Sequence, residues 1–192
     1  MKIHVPRSIR HAIVWILFAV SPLVALDPTK HVSQYTHTAW RIQDGAFAGA
    51  PNAIAQTADG YLWIGTLAGL VRFDGVRFVP WTAPDKKALL SSDIYSLLGA
   101  TDGSLWIGSG HGLSRWKTGD LTNYSATPAR INAIMEDDSG AIWIARTRME
   151  PPDGPICKIT GEALHCYGVA DGLSCQYGNA LANDDNRNLW IG

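Results

Sequence analysis

The chain has 192 residues, 46% of them hydrophobic and 17% charged, a globular composition long enough for one domain with a sizeable core. Sixteen Lys and Arg against seventeen Asp and Glu leave a net charge of −1. That balance excludes nucleic-acid binding driven by bulk electrostatics.

At the N-terminus, Lys2, Arg7 and Arg10 flank an apolar run from Ala12 to Val20, interrupted by Ser21 and Pro22 before Leu23-Val24-Ala25. This order reads as a signal peptide over residues 1–25, because the apolar stretch is short for a bilayer. An uncleaved membrane anchor is the alternative. No Cys follows the run, so a lipoprotein anchor is not expected. Residues 26–192 are therefore expected in the periplasm, outside the cytoplasm.

The rest of the chain is organised by a repeat. Asp59-Gly60-Tyr61-Leu62-Trp63-Ile64-Gly65 returns as Asp102-Gly103-Ser104-Leu105-Trp106-Ile107-Gly108. It returns again around Trp143, with Ala145 in place of the last Gly, and around Trp190. The Trp spacings are 43, 37 and 47 residues, and a period of about forty fits a four-stranded propeller blade. Strands are expected at 52–56, 61–66, 69–73 and 77–81, with Asp-Gly turns after the first and third. The unbroken Leu-Trp-Ile run suits a strand covered on both faces, making Trp63, Trp106, Trp143 and Trp190 core residues.

The fold class expected is all-β, a β-propeller of four-stranded antiparallel blades. Blades are placed at 51–81, 92–124 and 130–168, with the start of a fourth at 179–192. Trp40 precedes Asp44-Gly45 as Tyr167 precedes Asp171-Gly172. Residues 35–41 therefore read as an outermost strand that closes the ring on a blade outside this sequence. A complete ring takes about four to eight blades, so residues 26–192 are expected to form an incomplete arc.

Thr38-Ala39-Trp40-Arg41-Ile42-Gln43-Asp44-Gly45, residues 55–66 and residues 69–78 resemble two-component regulator propeller repeats. The resemblance implies a periplasmic sensor domain ahead of a hybrid histidine kinase or diguanylate cyclase. It further implies a parent protein anchored in the inner membrane through a missing C-terminal part, and dimerisation at the level of that parent. Catalysis is not implied for these residues.

The sequence contains no metal-spaced His/Cys cluster, no phosphate loop and no cofactor motif. Cys157 and Cys166 lie symmetrically about Gly161-Glu162. A two-residue hairpin there pairs them directly, and an exported protein meets oxidising conditions, so a disulfide is expected, with two free thiols as the alternative. Between its second and third strands the third blade carries an insertion, Arg146-Thr147-Arg148-Met149-Glu150-Pro151-Pro152-Asp153-Gly154. Insertions of this kind gather on one face, often the binding face. Arg146 and Arg148, with Lys86, Lys87 and Arg130 in the inter-blade connections, are the expected anchors for an anionic small molecule or acidic glycan. A solvated loop without ligand is the competing reading. The function expected is an extracytoplasmic ligand-binding sensor module, with a secreted interaction scaffold or a propeller lyase or glycosidase as alternatives.

Overall fold

The computed structural model describes residues 31–34, 38–84, 87–124, 129–147, 154–161 and 163–192. The chain divides into two units, Met1–Ala39 and Trp40–Gly192. In the first, the described residues include a single 3-10 turn, Val32–Gln34, where the His31 amide donates to Gln34 Oε1 at 2.8 Å. The expected signal peptide lies outside the described residues. No helix among them is long and apolar enough to cross a membrane.

The second unit consists of antiparallel sheets. β1 (Pro51–Gln56), β2 (Leu62–Thr66), β3 (Gly69–Phe73) and β4 (Phe78–Pro80) form the first blade in sequential order. β5 (Ile94–Gly99), β6 (Leu105–Ser109), β7 (Gly112–Lys117) and β8 (Asp120–Tyr124) form the second. β9 (Ile131–Glu136), β10 (Ile142–Arg146), β11 (Ile156–Thr160) and β12 (Ala163–Tyr167) form the third. β13 (Leu181–Asn183) and β14 (Leu189–Ile191) make a two-stranded sheet. The innermost strands β1, β5 and β9 lie side by side, so the blades follow one another as they do in a propeller.

The second strand of each full blade is covered on both faces. All five residues of β6 are buried, as are four of the five in β2 and in β10. Trp63 and Trp106 are 3% and 4% exposed, whereas Trp143 is half-buried and Trp190 is 62% exposed. The cause lies in their cover. Each of the first three Trp rings packs on the aromatic ending its own outer strand: Trp63 on Trp81, Trp106 on Tyr124 and Trp143 on Tyr167, with centroids 6.0, 5.3 and 5.7 Å apart. The sheet of Trp190 has no third or fourth strand among the described residues, so the ring is uncovered there.

Residues 38–41 form no strand, contrary to expectation, and residues 35–37 lie outside the described set. The alignment behind that expectation does describe the local geometry. Ile42–Asp44 and Val169–Asp171 are both 3-10 turns ended by a left-handed glycine, Gly45 (φ 77°) and Gly172 (φ 87°). Trp40 also meets Phe73 at 5.3 Å much as Trp81 meets Trp116 at 5.1 Å. Phe73 and Trp116 are equivalent, each pairing with the Leu just ahead of the motif Trp. Trp40 thus stands to the first blade as the outer-strand aromatic Trp81 stands to the second.

The turns differ from the expected two-residue Asp-Gly form. Thr57, Ala100, Asp137 and Asp184 each accept from the amide three residues on, at 2.8 to 3.0 Å. Only that fourth residue is left-handed: Gly60, Gly103, Gly140 and, in the last sheet, Arg187 at φ 65°. This is a three-residue connection with a left-handed residue at its end, the other common way to match strand twist. Cys157 pairs with Cys166 across β11 and β12 and is joined to it by a disulfide, while Cys175 is free.

Departures from the repeat are compensated across blade interfaces. A Cβ added to Gly65 would collide with Ile94 of the next blade, and one added to Gly108 with Ser96 and Ile131. In the third blade Ala145 takes that glycine's place. The facing residue of the next sheet is then Gly178, whose added Cβ would meet Ala145 Cβ and Ile156 Cδ1. The methyl group has moved from one side of the contact to the other.

Candidate functional site

The strand directions separate two ends of the unit. At one end lie the 57–60, 100–103, 137–140 and 184–187 turns. At the other, the inner strands begin and the connections between second and third strands cluster.

At this second end each full blade has a β-bulge, between Pro51 and Ala53, between Ile94 and Ser96, and opposite Ala145 and Arg146. The extra residue is Asn52, Tyr95 and Asn132 respectively. A bulge re-aims the side chain it carries, and here the side chain reaches toward the following blade. Asn52 Nδ2 donates to the Ile94 carbonyl at 3.0 Å, and Asn132 Nδ2 to the Gly178 carbonyl at 2.7 Å. These carbonyls are equivalent, and the intervening one, of Ile131, is served by Ser96 Oγ at 2.9 Å. Each blade is therefore latched to the next by one side-chain hydrogen bond to an inner-strand carbonyl. In the second blade the duty has passed from the bulge residue to its neighbour, which leaves Tyr95 free for other contacts.

Tyr95 uses that freedom on Arg130. The guanidinium lies 4.9 Å from the centre of the Tyr95 ring, and Arg130 Nε donates to Asn132 Oδ1 at 2.8 Å. Arg130 itself is exposed. Close by in the fold, Asp93 is engaged by Ser91 and faces Gly110, where any side chain would collide with its carboxylate. The Ser91 hydroxyl holds the Asp93 carboxyl below the usual range, and the amide of Gly110 acts the same way.

Among the described residues, the expected cations are not brought together. Arg146 is 2% exposed, with Nε donating to the Gly154 carbonyl at 3.0 Å, so it is built into the third blade. Lys87 pairs with Asp120 at 2.6 Å and donates to the Leu121 carbonyl at 3.2 Å. Asp120 opens the outer strand of the second blade, at the end opposite Arg130. Lys86 and Arg148 lie outside the described residues. Of the five, Arg130 is the one seen exposed at the loop end. The bulge position was accessible in the sequence, since Asn52, Tyr95, Asn132 and Asn179 each stand eleven residues ahead of a motif Trp.

At the hairpin end, turn carboxylates tie the motif together. Trp143 Nε1 donates to Asp137 Oδ2 at 2.8 Å and Trp190 Nε1 to Asp184 Oδ2 at 3.1 Å, while Trp63 Nε1 uses Thr57 Oγ1 at 2.8 Å. Burial raises the Asp137 pKa, but the Ser139 hydroxyl, the Trp143 indole and two backbone amides outweigh it and keep the carboxyl well below its usual range. Asp102 is likewise raised by burial and more strongly lowered, by Lys117, Ser104 and Arg115. A cavity of about 310 Å³ beside Asp137 and Trp143 is also lined by Asp138, Arg187 and Leu189. Among the described residues, no group of three or more His, Cys, Asp or Glu is placed to hold a metal ion.

Several solved structures share this architecture. One is the extracellular domain assigned to the hybrid two component system BT3049 of B. thetaiotaomicron, at 21% identity and a TM-score of 0.60, covering 74% of this chain and 20% of that one. Virginiamycin B lyase from Staphylococcus aureus aligns at 18% identity and a TM-score of 0.57, covering 73% of this chain and 48% of the lyase. PorZ, a surface component of the type-IX secretion system of Porphyromonas gingivalis, aligns at 14% identity and 0.53, covering 72% and 23%. At these identities the likeness is one of fold, and the chain spans about a fifth of the two-component domain. No curated protein matches the sequence. The family model described as "Two component regulator propeller" matches residues 48–68 and 88–111, the first two strands of the first two blades with the residues leading into them. The described blades have the β-propeller fold, and residues 48–68 and 88–111 match the two-component regulator propeller.

Proposed function

We propose that this chain is the extracytoplasmic, ligand-binding part of a two-component-type signal-transduction protein, and that it senses rather than catalyses. The observation that carries the reading is the match of residues 48–68 and 88–111 to the two-component regulator propeller. The fold shared with extracellular domains of hybrid two component systems agrees with it. The basic and apolar start of the chain, read as a signal peptide, agrees with export. On this reading the loop end binds a small anionic molecule or glycan, and the catalytic output belongs to the membrane-anchored parent.

The lyase reading is kept in view by the fold shared with virginiamycin B lyase. One experiment separates the two. The full-length exported protein is incubated with acidic and neutral oligosaccharides, its melting temperature is followed, and the sugars are then analysed by mass spectrometry. A saturable rise in melting temperature with the sugar recovered intact is expected. Recovery of a cleaved or eliminated product would overturn the sensing reading.

A further inference from the structure

We propose that Arg130, held by Tyr95 and Asn132, is a recognition site for a ligand carboxylate at the loop end of the second and third blades. The proposal rests on the sensing reading and gives its ligand a chemical class.

The bulge residue of the first and third blades is an Asn that holds the next blade's carbonyl. In the second blade it is Tyr95, and Ser96 has taken over the carbonyl. The latch is thus preserved while the bulge side chain is given a different task, and its one described ring contact is the Arg130 guanidinium. A departure from a repeat that is compensated next door points to a position used for something else.

The geometry of Arg130 suits that use. The Tyr95 ring lies 4.9 Å from the guanidinium, and Asn132 Oδ1 accepts from Nε–H at 2.8 Å. Arg130 is exposed, and among the described contacts none engages its two terminal nitrogens. Part of the side-chain entropy that a ligand would have to remove is therefore already lost, and the remaining donors form the planar fork that matches a carboxylate. Among the described residues, no second exposed Lys or Arg of these two blades stands at this end, because Lys87 pairs with Asp120 at the other. Tyr177, 61% exposed, bridges to Thr147, and Asn179 accepts from Asn132, so aromatic and amide groups stand at the same end. A sugar acid or a simple organic acid would supply the same group.

The test is calorimetric titration of the full-length protein with galacturonate, succinate and galactose, for the native chain and for Arg130→Gln, Arg130→Lys and Tyr95→Phe. At least one carboxylate is expected to bind saturably. Both Arg130 substitutions should weaken it about tenfold or more, the Lys variant because it keeps the charge and loses the fork, while Tyr95→Phe, which keeps the ring, stays within about twofold. Arg130 is exposed, so unchanged melting temperatures are expected for its variants. Galacturonate alone binding would assign the group to a sugar acid, and succinate alone to an organic acid. Saturable binding of galactose that Arg130→Gln leaves intact would overturn the site and spare the sensing reading. Carboxylate binding of native strength in Arg130→Gln, or no carboxylate binding in the native chain, would overturn the proposal.

Discussion

The interface between the second and third blades and that between the third blade and the last sheet do the same job with different residues. The first sets Gly108 against Ile131 and Ser96, and the second sets Ala145 against Gly178. The first is latched by Ser96 and the second by Asn132, both onto the equivalent inner-strand carbonyl. What the fold specifies is therefore a glycine on one side of each contact, a side chain on the other and one donor, and not which side carries which. The largest effect should come from breaking that arrangement. Gly108→Ala places a Cβ against Ser96 and Ile131, and interiors tolerate such overpacking poorly, so a loss of about 2 kcal/mol is expected. Ala145→Gly removes a methyl from the other interface and should cost about 1 kcal/mol. Urea unfolding of both variants checks the order. Equal losses would mean that the interfaces are not complementary in this way.

A smaller effect should follow from the latches. Asn132→Ala leaves the carbonyl of the buried Gly178 without its side-chain donor, at an expected cost of about 1–2 kcal/mol. Ser96→Ala should cost a similar amount through Ile131. Asn132→Ser, which would copy the donor type of the second blade from a different backbone position, should not restore the bond, because Ser96 acts from the residue after its bulge. A full rescue by Asn132→Ser in the same unfolding assay would remove the distinction drawn between the two latches.

Much of this was legible in the sequence. The Asp-Gly-x-Leu-Trp-Ile-Gly recurrence located the covered second strands, and the symmetry of Cys157 and Cys166 about Gly161-Glu162 matched their register in the structure. Other features depend on contacts between blades, which no local pattern carries. The replacement of Gly by Ala145 has its reason in Gly178, which stands opposite it in the next sheet. The expected grouping of the five cations requires that the connections lie on one face. Residues 87–88 instead run along the outer strand of the second blade, where Lys87 meets Asp120 and the Ala88 carbonyl meets Asn123. Arg146 was read from its place beside an insertion, yet it sits on β10 at a strand position that faces inward. The turns were misread because Asp-Gly fits two hairpin geometries, and strand register decides between them.

The smallest effect separates the turns themselves. The Trp63 indole is held by the Thr57 hydroxyl, which does not titrate near neutrality, and the Trp143 indole by the Asp137 carboxylate. Because the Asp137 carboxyl is depressed in the folded chain, the unfolded chain binds its proton first as pH falls. Stability from this group is present in full above the unfolded value of about 3.9 and is lost as pH drops from there toward the folded value. Asp137→Thr copies the first blade's version of the bond. It should lower stability near neutral pH by about 1 kcal/mol, since several amide bonds to the carboxylate disappear. It should also make the fall in stability between about pH 5 and 2 shallower than in the native chain. A residual slope is expected, because Asp102 is depressed as well and remains in the variant. Unfolding midpoints in urea at several pH values read both quantities. An acid slope identical to that of the native chain would show that the Asp137 carboxylate, unlike its geometry, contributes nothing that the Thr57 hydroxyl does not.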